Sequence, residues 1–138
     1  PVWPAPASWG LESWPRSLFG VGLFLLALGL VRAIQALFCL GSSLSPLPAP
    51  KTTNQLIRTG PYSQCRHPLY RAVLICSAGV VIATGSLLHL ALLISLALVL
   101  RGKARFEEAG LRQVHADYDQ YAAITPAIIG VVPGLDWR

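Results

Sequence analysis

Residues Ser17 to Leu40 form an apolar run of about 24 residues, long enough as a helix to cross a hydrocarbon core of roughly 30 Å. A second apolar stretch, Leu69 to Leu100, has Thr84-Gly85-Ser86 near its middle. At about 32 residues it is too long for one span, but it fits a tight helical hairpin whose arms are each roughly 24 Å long. In lipid, the backbone polar groups of such segments must be satisfied within the segment, which here leaves helices as the only option. Composition agrees: 54% of residues are hydrophobic and 12% are charged, about half the charged share of an average soluble protein. The expected fold is therefore all-α and integral to the membrane. It has one spanning helix, a Pro-rich cytoplasmic loop, a transmembrane hairpin and a C-terminal cytoplasmic or interfacial helix.

The chain reads as a single domain over residues 1–138. Its parts are the spanning helix (17–40), a loop (41–68), the hairpin (69–100), a polar helix (101–121) and an interfacial tail (122–138). Trp3, Trp9 and Trp14 among the leading prolines suit a headgroup layer, where an indole ring is buried while its N–H stays wet. The first sixteen residues lack the basic start and apolar core of a signal peptide. The sequence contains no methionine, so an upstream spanning helix is compatible with it. Gly41 to Pro50 is too rich in proline and serine to continue a helix. Lys51, Arg58, Arg66, Arg71, Arg101, Lys103, Arg105, Arg112 and Arg138 all follow the first helix, at the bases of the hairpin or beyond. By the positive-inside rule this puts the loop, the hairpin bases and the tail in the cytoplasm, making the protein multi-pass with its polar face cytoplasmic. The same placement argues against nucleic acid as the partner of the +5 net charge, because the cations flank apolar segments.

Within the first helix, Arg32 and Gln35 share a face; Arg32 either snorkels to the interface or faces a polar cavity. His89, near the hairpin tip, reads as hydrogen-bonded to a helix backbone or interfacial. Cys39, Cys65 and Cys76 lack metal-ligand spacing and read as small apolar side chains.

The polar chemistry gathers in two stretches. Gly60-Pro61-Tyr62-Ser63-Gln64-Cys65-Arg66-His67-Pro68-Leu69-Tyr70 precedes the hairpin, its backbone fixed by two prolines and a glycine. Glu107-Glu108 follows it on a helix whose Phe106, Leu111, Val114 and Tyr118 form one apolar stripe, with Tyr121 just beyond. A hairpin returns the chain to the side it left, so the two stretches meet in a pocket of cations, carboxylates and aromatics. Such a pocket suits a ligand bearing both charges, such as an amino-acid head group and a ribose. Each signal alone is ordinary: adjacent glutamates usually solvate a helix, and a Tyr-x-x-Tyr pair usually packs. No metal site is expected, since His115 is the only further imidazole near His67, Glu107 and Glu108. No Gly-x-Gly-x-x-Gly, P-loop or serine nucleophile elbow is present.

The order Gly60-Pro61-Tyr62, Arg66-His67-Pro68-Leu69-Tyr70, hairpin, Lys103, Glu107-Glu108, Leu111, Tyr118, Tyr121, Pro126 resembles the isoprenylcysteine carboxyl methyltransferase and phospholipid methyltransferase superfamily, over about residues 41 to 133. That resemblance implies S-adenosylmethionine as cofactor on the cytoplasmic side and a lipid or prenyl-like acceptor arriving through the bilayer. It implies cofactor contacts from Tyr62, His67, Pro68, Tyr70, Glu107, Glu108, Tyr118 and Tyr121, with Arg66 and His67 catalytic. Isoprenylcysteine-type O-methylation is the leading expectation. Alternatives are phospholipid or amine N-methylation, an NADPH-dependent reductase like the membrane sterol reductases, and a silent membrane subunit. The chain departs from the pattern at Arg71-Ala72, where an apolar residue and glycine are usual. It departs again at His115-Ala116, where an aromatic and Gly or Pro are common, and at Ala127, where arginine is frequent. The acceptor and the oligomeric state are left open.

Overall fold

A computed structural model describes residues 14–41, 56–130 and 137. The expectations for Trp3, Trp9, most of the Pro-rich loop and residues 131–136 and 138 of the tail lie outside these residues. Among the described residues there are five helices: α1 (Arg16–Leu40), α2 (Pro61–Gln64), α3 (Pro68–Thr84), α4 (Leu87–Val114) and α5 (Tyr118–Ile124). No strand occurs among the described residues.

Helices α1 and α3 pack antiparallel through small residues. A Cβ on Gly22 would lie 2.5 Å from the Gly79 carbonyl oxygen, and one on Gly79 would lie 2.6 Å from the Gly22 oxygen. One turn-pair further along, a Cβ on Gly29 would lie 2.9 Å from the Ala72 oxygen and collide with the Cys76 sulfur. Ala72, where glycine is usual, is fully buried at this crossing, with its backbone oxygen against Gly29 of α1. Close backbone approach through small residues is how helices associate where hydrophobic exclusion offers little drive. Arg32 and Gln35 lie on the exposed side of α1, facing away from α3.

At the far end of the bundle Gly85 adopts φ 58° and ends α3 in a left-handed cap. The ring of Trp14 lies over it, and its indole N–H donates to the Ile82 carbonyl at 2.7 Å. This turn is the expected hairpin tip.

The second arm differs from expectation. Helix α4 continues without interruption from Leu87 through Leu100 and Arg101 to Val114. The hairpin arm and most of the polar helix are thus one rod of roughly 42 Å. Apart from Gly102 and Gly110, residues 100–112 are mostly good helix formers, so the helix continues through the change from apolar to polar surface. The break comes later, at His115 to Asp117, and splits the expected 101–121 helix before α5.

Among the described residues two helices are long and apolar enough to cross a membrane, α1 and α4, while α3 is apolar but shorter. Their apolar windows are only 11% and 6% buried, unlike the mostly buried core helix of a soluble protein. Phe24, Phe38, Leu92, Leu98 and Val99 all stand outside. The packed cluster instead lies at the opposite end from the Gly85 tip: Tyr70, Ala104, Ala127, Ile128 and Trp137, flanked by Leu74 and Leu100. The polar end is packed by the chain itself, and the apolar rods are left for another apolar medium.

Candidate active site

At that packed end the chain passes through Gly60, whose φ of 57° suits only glycine, into the single turn of α2 with Pro61 at its first position. Cys65 is extended, Arg66 lies in a bend, and Pro68 starts α3. This turn is stitched to the segment after α5: the Arg66 N–H donates to the Pro126 carbonyl at 2.9 Å and the His67 N–H to the Ala127 carbonyl at 3.0 Å. Ala127 is fully buried in the apolar cluster, so the place where arginine is frequent is here a packed methyl.

The two adjacent glutamates of α4 share His67 and otherwise have separate partners. Glu108 Oε1 accepts from Arg66 Nε at 2.9 Å and lies 2.8 Å from His67 Nε2. The side chains of Arg66 and Glu108 are only 2% and 5% exposed. Arg66 Nη1 donates to the carbonyls of Ala122 (3.0 Å) and Thr125 (2.7 Å), satisfying carbonyls at the end of α5 that have no partner within the helix. Arg66 and Glu108 thus form a clasp between turn, α4 and α5. Burial alone would raise the Glu108 carboxyl, but the hydrogen bond to His67 and the charge and hydrogen bond of Arg66 outweigh it and hold it below the ordinary range.

Glu107 is the more open carboxylate, 27% exposed. Its Oε1 accepts from the Tyr70 hydroxyl at 2.7 Å and faces Lys103 Nζ at 3.7 Å, while Oε2 lies 3.9 Å from His67 Nδ1. The rings of His67 and Tyr70 stack within 4° of parallel at 5.2 Å. His67 therefore bridges the two carboxylates, with one nitrogen on the clasp and the other turned to the open side.

Tyr118 and Tyr121 stand behind the clasp, edge to face at 6.0 Å. The Tyr121 hydroxyl donates to the Tyr62 carbonyl at 2.5 Å, tying α5 to α2. The Tyr118 hydroxyl is buried without a hydrogen-bond partner among the described residues. A buried phenol in that position is a donor in want of an acceptor. Burial, with the nearby carboxylates and other acidic side chains, raises all three phenols, pushing Tyr62 up to about 12. For Tyr62 the further causes are the thiols of Cys39 and Cys65 and then Glu107, whose charge reaches it. Burial also raises the Cys65 thiol.

The structure thus brings Arg66, His67, Tyr70, Glu107 and Glu108 into direct contact. Tyr62, Tyr118 and Tyr121 form the adjoining wall, and Pro68 sets the helix start. His115 lies outside the cluster, at the end of α4. Sequence reading missed three supports. Arg58 pairs with Asp117 and lies 5.7 Å from the centre of the Tyr121 ring. Arg112 sits over Tyr118 at 5.6 Å, bonds Asp119 at 2.8 Å and approaches Glu108 at 3.7 Å. The backbone carbonyls of Ala122 and Thr125 complete the Arg66 shell. The i,i+4 spacing of Glu108 and Arg112 was a visible signal; the Arg58 pairing had none. Beside the clasp a cavity of about 260 Å³ is lined by Arg58, Ser63, Gln120, Tyr121, Ile124 and Thr125.

Comparison with known proteins gives this geometry a setting. Two curated relatives are the nickel-cobalt-cadmium resistance protein NccN of Alcaligenes xylosoxydans xylosoxydans and the cobalt-zinc-cadmium resistance protein CzcN of Cupriavidus metallidurans. They are 36% and 37% identical over 78 residues, 56% of this chain, and 37% and 36% of the respective relatives. The chain therefore spans little more than a third of the length of those relatives. The sequence profile of the phospholipid methyltransferase family matches residues 17–117, from α1 through the clasp to the end of the α4–α5 connection. With that match over well over half of its length, and with its apolar helices exposed, the chain is a membrane protein of the phospholipid methyltransferase family.

Proposed function

We propose that the chain is an S-adenosylmethionine-dependent methyltransferase acting on a lipophilic acceptor. In this reading α1, α3 and α4 cross the bilayer and the clasp faces the cytoplasm, a placement that the distribution of lysine and arginine supports. The observation that carries the reading is the cluster of His67, Tyr70 and Glu107, held on a buried Arg66–Glu108 clasp at the end of exposed apolar helices. The donor set fits the cofactor: a partly open carboxylate for an ammonium or ribose hydroxyls, an aromatic face for a sulfonium, and an orphan buried phenol.

When bound, S-adenosylmethionine supplies an electrophilic methyl group. The chain's own residues position and exclude water, which suffices for a one-step in-line transfer. Tyr70 and Glu107 hold the open side, with Tyr62, Tyr118 and Tyr121 as its wall. Arg66 and Glu108 act by fixing His67 and the end of α5. A carboxylate acceptor, as in isoprenylcysteine O-methylation, needs no base. An amine acceptor does, and His67 Nδ1 and Glu107 are the groups turned to the open side. The metal-resistance names belong to the relatives, and no metal-handling role is carried over from them.

The test is thermal stability of the detergent-solubilised protein with S-adenosylmethionine, S-adenosylhomocysteine and NADPH. A ligand at 100 times its Kd stabilises by about 2.7 kcal/mol. Shifts with both methionine-derived ligands are expected. A shift with NADPH alone would move the assignment to a reductase, and no shift with any of the three would leave a silent subunit.

A further inference from the structure

Glu107 and the Tyr70 ring together make a site for a cation, and a cation of the chain already stands in it. Lys103 Nζ lies 5.6 Å from the centre of the Tyr70 ring and 3.7 Å from Glu107 Oε1. The ring is held in place by its hydroxyl, which donates to the same oxygen at 2.7 Å, and by stacking on His67. An ammonium within about 6 Å of an aromatic centre is attracted by the ring's negative face, and a carboxylate beside it strengthens the attraction. The neighbouring cations differ. Arg66 is buried and spent on Glu108 and two carbonyls, and Arg112 is engaged with Glu108, Asp119 and Tyr118. The Lys103 side chain is 55% exposed and sits on a flexible stem, so it can leave.

We infer that Lys103 is an internal competitor for the ligand's cation: its ammonium occupies the Tyr70–Glu107 site and must swing away before a sulfonium can enter. The inference rests on the methyltransferase reading and deepens it. The cost of displacing the ammonium is common to every ligand of that shape, but its stem keeps it beside the site after it swings away, so its charge still opposes a cationic ligand and spares a neutral one. S-adenosylmethionine and S-adenosylhomocysteine are such a pair, differing by one methyl and one positive charge while sharing every other group. Lys103 thus lowers the preference for the charged cofactor over its neutral product.

The experiment measures Kd for both ligands by titration calorimetry in detergent, on the wild-type protein and on Lys103→Gln, Lys103→Met, Lys103→Arg and Arg105→Gln. Arg105 is an exposed cation of the same helix, so Arg105→Gln reports the effect of removing one positive charge from the general field. Both neutral Lys103 variants should shift the affinity ratio toward S-adenosylmethionine about fivefold, the scale of the repulsion between two solvent-exposed unit charges about 4 Å apart. Lys103→Arg should keep the wild-type ratio, and Arg105→Gln should change it less than twofold. Equal changes for the two ligands in the neutral variants would overturn the inference, since that is how a lysine holding the shared carboxylate behaves. An equal shift in Arg105→Gln would overturn it as well. Wild-type protein that binds both ligands while the Lys103 variants leave the ratio unmoved refutes the competitor alone. Wild-type protein that binds neither refutes the methyltransferase reading, and the competitor with it.

Discussion

Substituting Glu108 by glutamine tests the clasp most directly. The change keeps the shape of the side chain but removes the charge facing Arg66, whose own side chain is 2% exposed. Arg66 Nη1 would still reach the carbonyls of Ala122 and Thr125, so part of its shell survives. Its cation would nonetheless be buried without a counter-charge, and breaking a buried pair from one side costs about 3–5 kcal/mol. Glu107→Gln removes a charge of the same kind one residue away, where water already screens it and a glutamine oxygen can still accept from Tyr70. That change should cost about 1 kcal/mol or less. For a chain of this size the two should separate by roughly 10 °C or more in melting temperature. Replacing Arg66 and Glu108 together by Leu and Gln should recover part of the loss, because the uncompensated cation goes with its partner. The assay is thermal unfolding in detergent, with far-ultraviolet circular dichroism at low temperature as a check that helices persist. Equal melting temperatures for Glu108→Gln and Glu107→Gln would refute the division of roles between the two carboxylates.

Two further outcomes follow from packing and ionisation. Gly29→Val should separate α1 from α3, because any Cβ there meets the Ala72 backbone and the Cys76 sulfur, whereas Gly20→Val should be tolerated, having nothing within 4 Å. Overpacking of this kind costs about 1–3 kcal/mol or more, and a cysteine placed on each helix should lose its crosslinking yield only in the Gly29 variant. The Tyr62 phenol is raised in the folded state from 10.0 to about 12. A raised folded value means that its contribution is full below pH 10 and is lost as pH rises from about 10 to 12. Alkaline titration of melting temperature should therefore fall less steeply over that window in Tyr62→Phe than in the wild type; identical slopes would remove Tyr62 as a contributor.

The apolar runs, their lengths and the Gly85 tip could be read from the sequence, because a membrane imposes length and polarity on each segment separately. The gathering of Arg66, His67, Tyr70, Glu107 and Glu108 could also be read, since a hairpin returns its two ends to one place. Other features depended on three-dimensional packing. Helix α4 runs through Leu100 because a change of surface polarity is not a helix stop, and only His115 to Asp117 supply one. Glu107 and Glu108 are identical and adjacent in sequence. The roughly 100° between successive helix positions turns one into the buried clasp and the other to the open side. Arg66, which pattern and chemistry alike suggested as a ligand for the reaction, is enclosed by carbonyls of α5 that no spacing in the sequence could have assigned to it. The sequence determined which side chains reach the membrane boundary, because periodicity and length are local properties. Which of them are buried and which remain open was decided only by the tertiary structure, because burial depends on segments brought together from far along the chain.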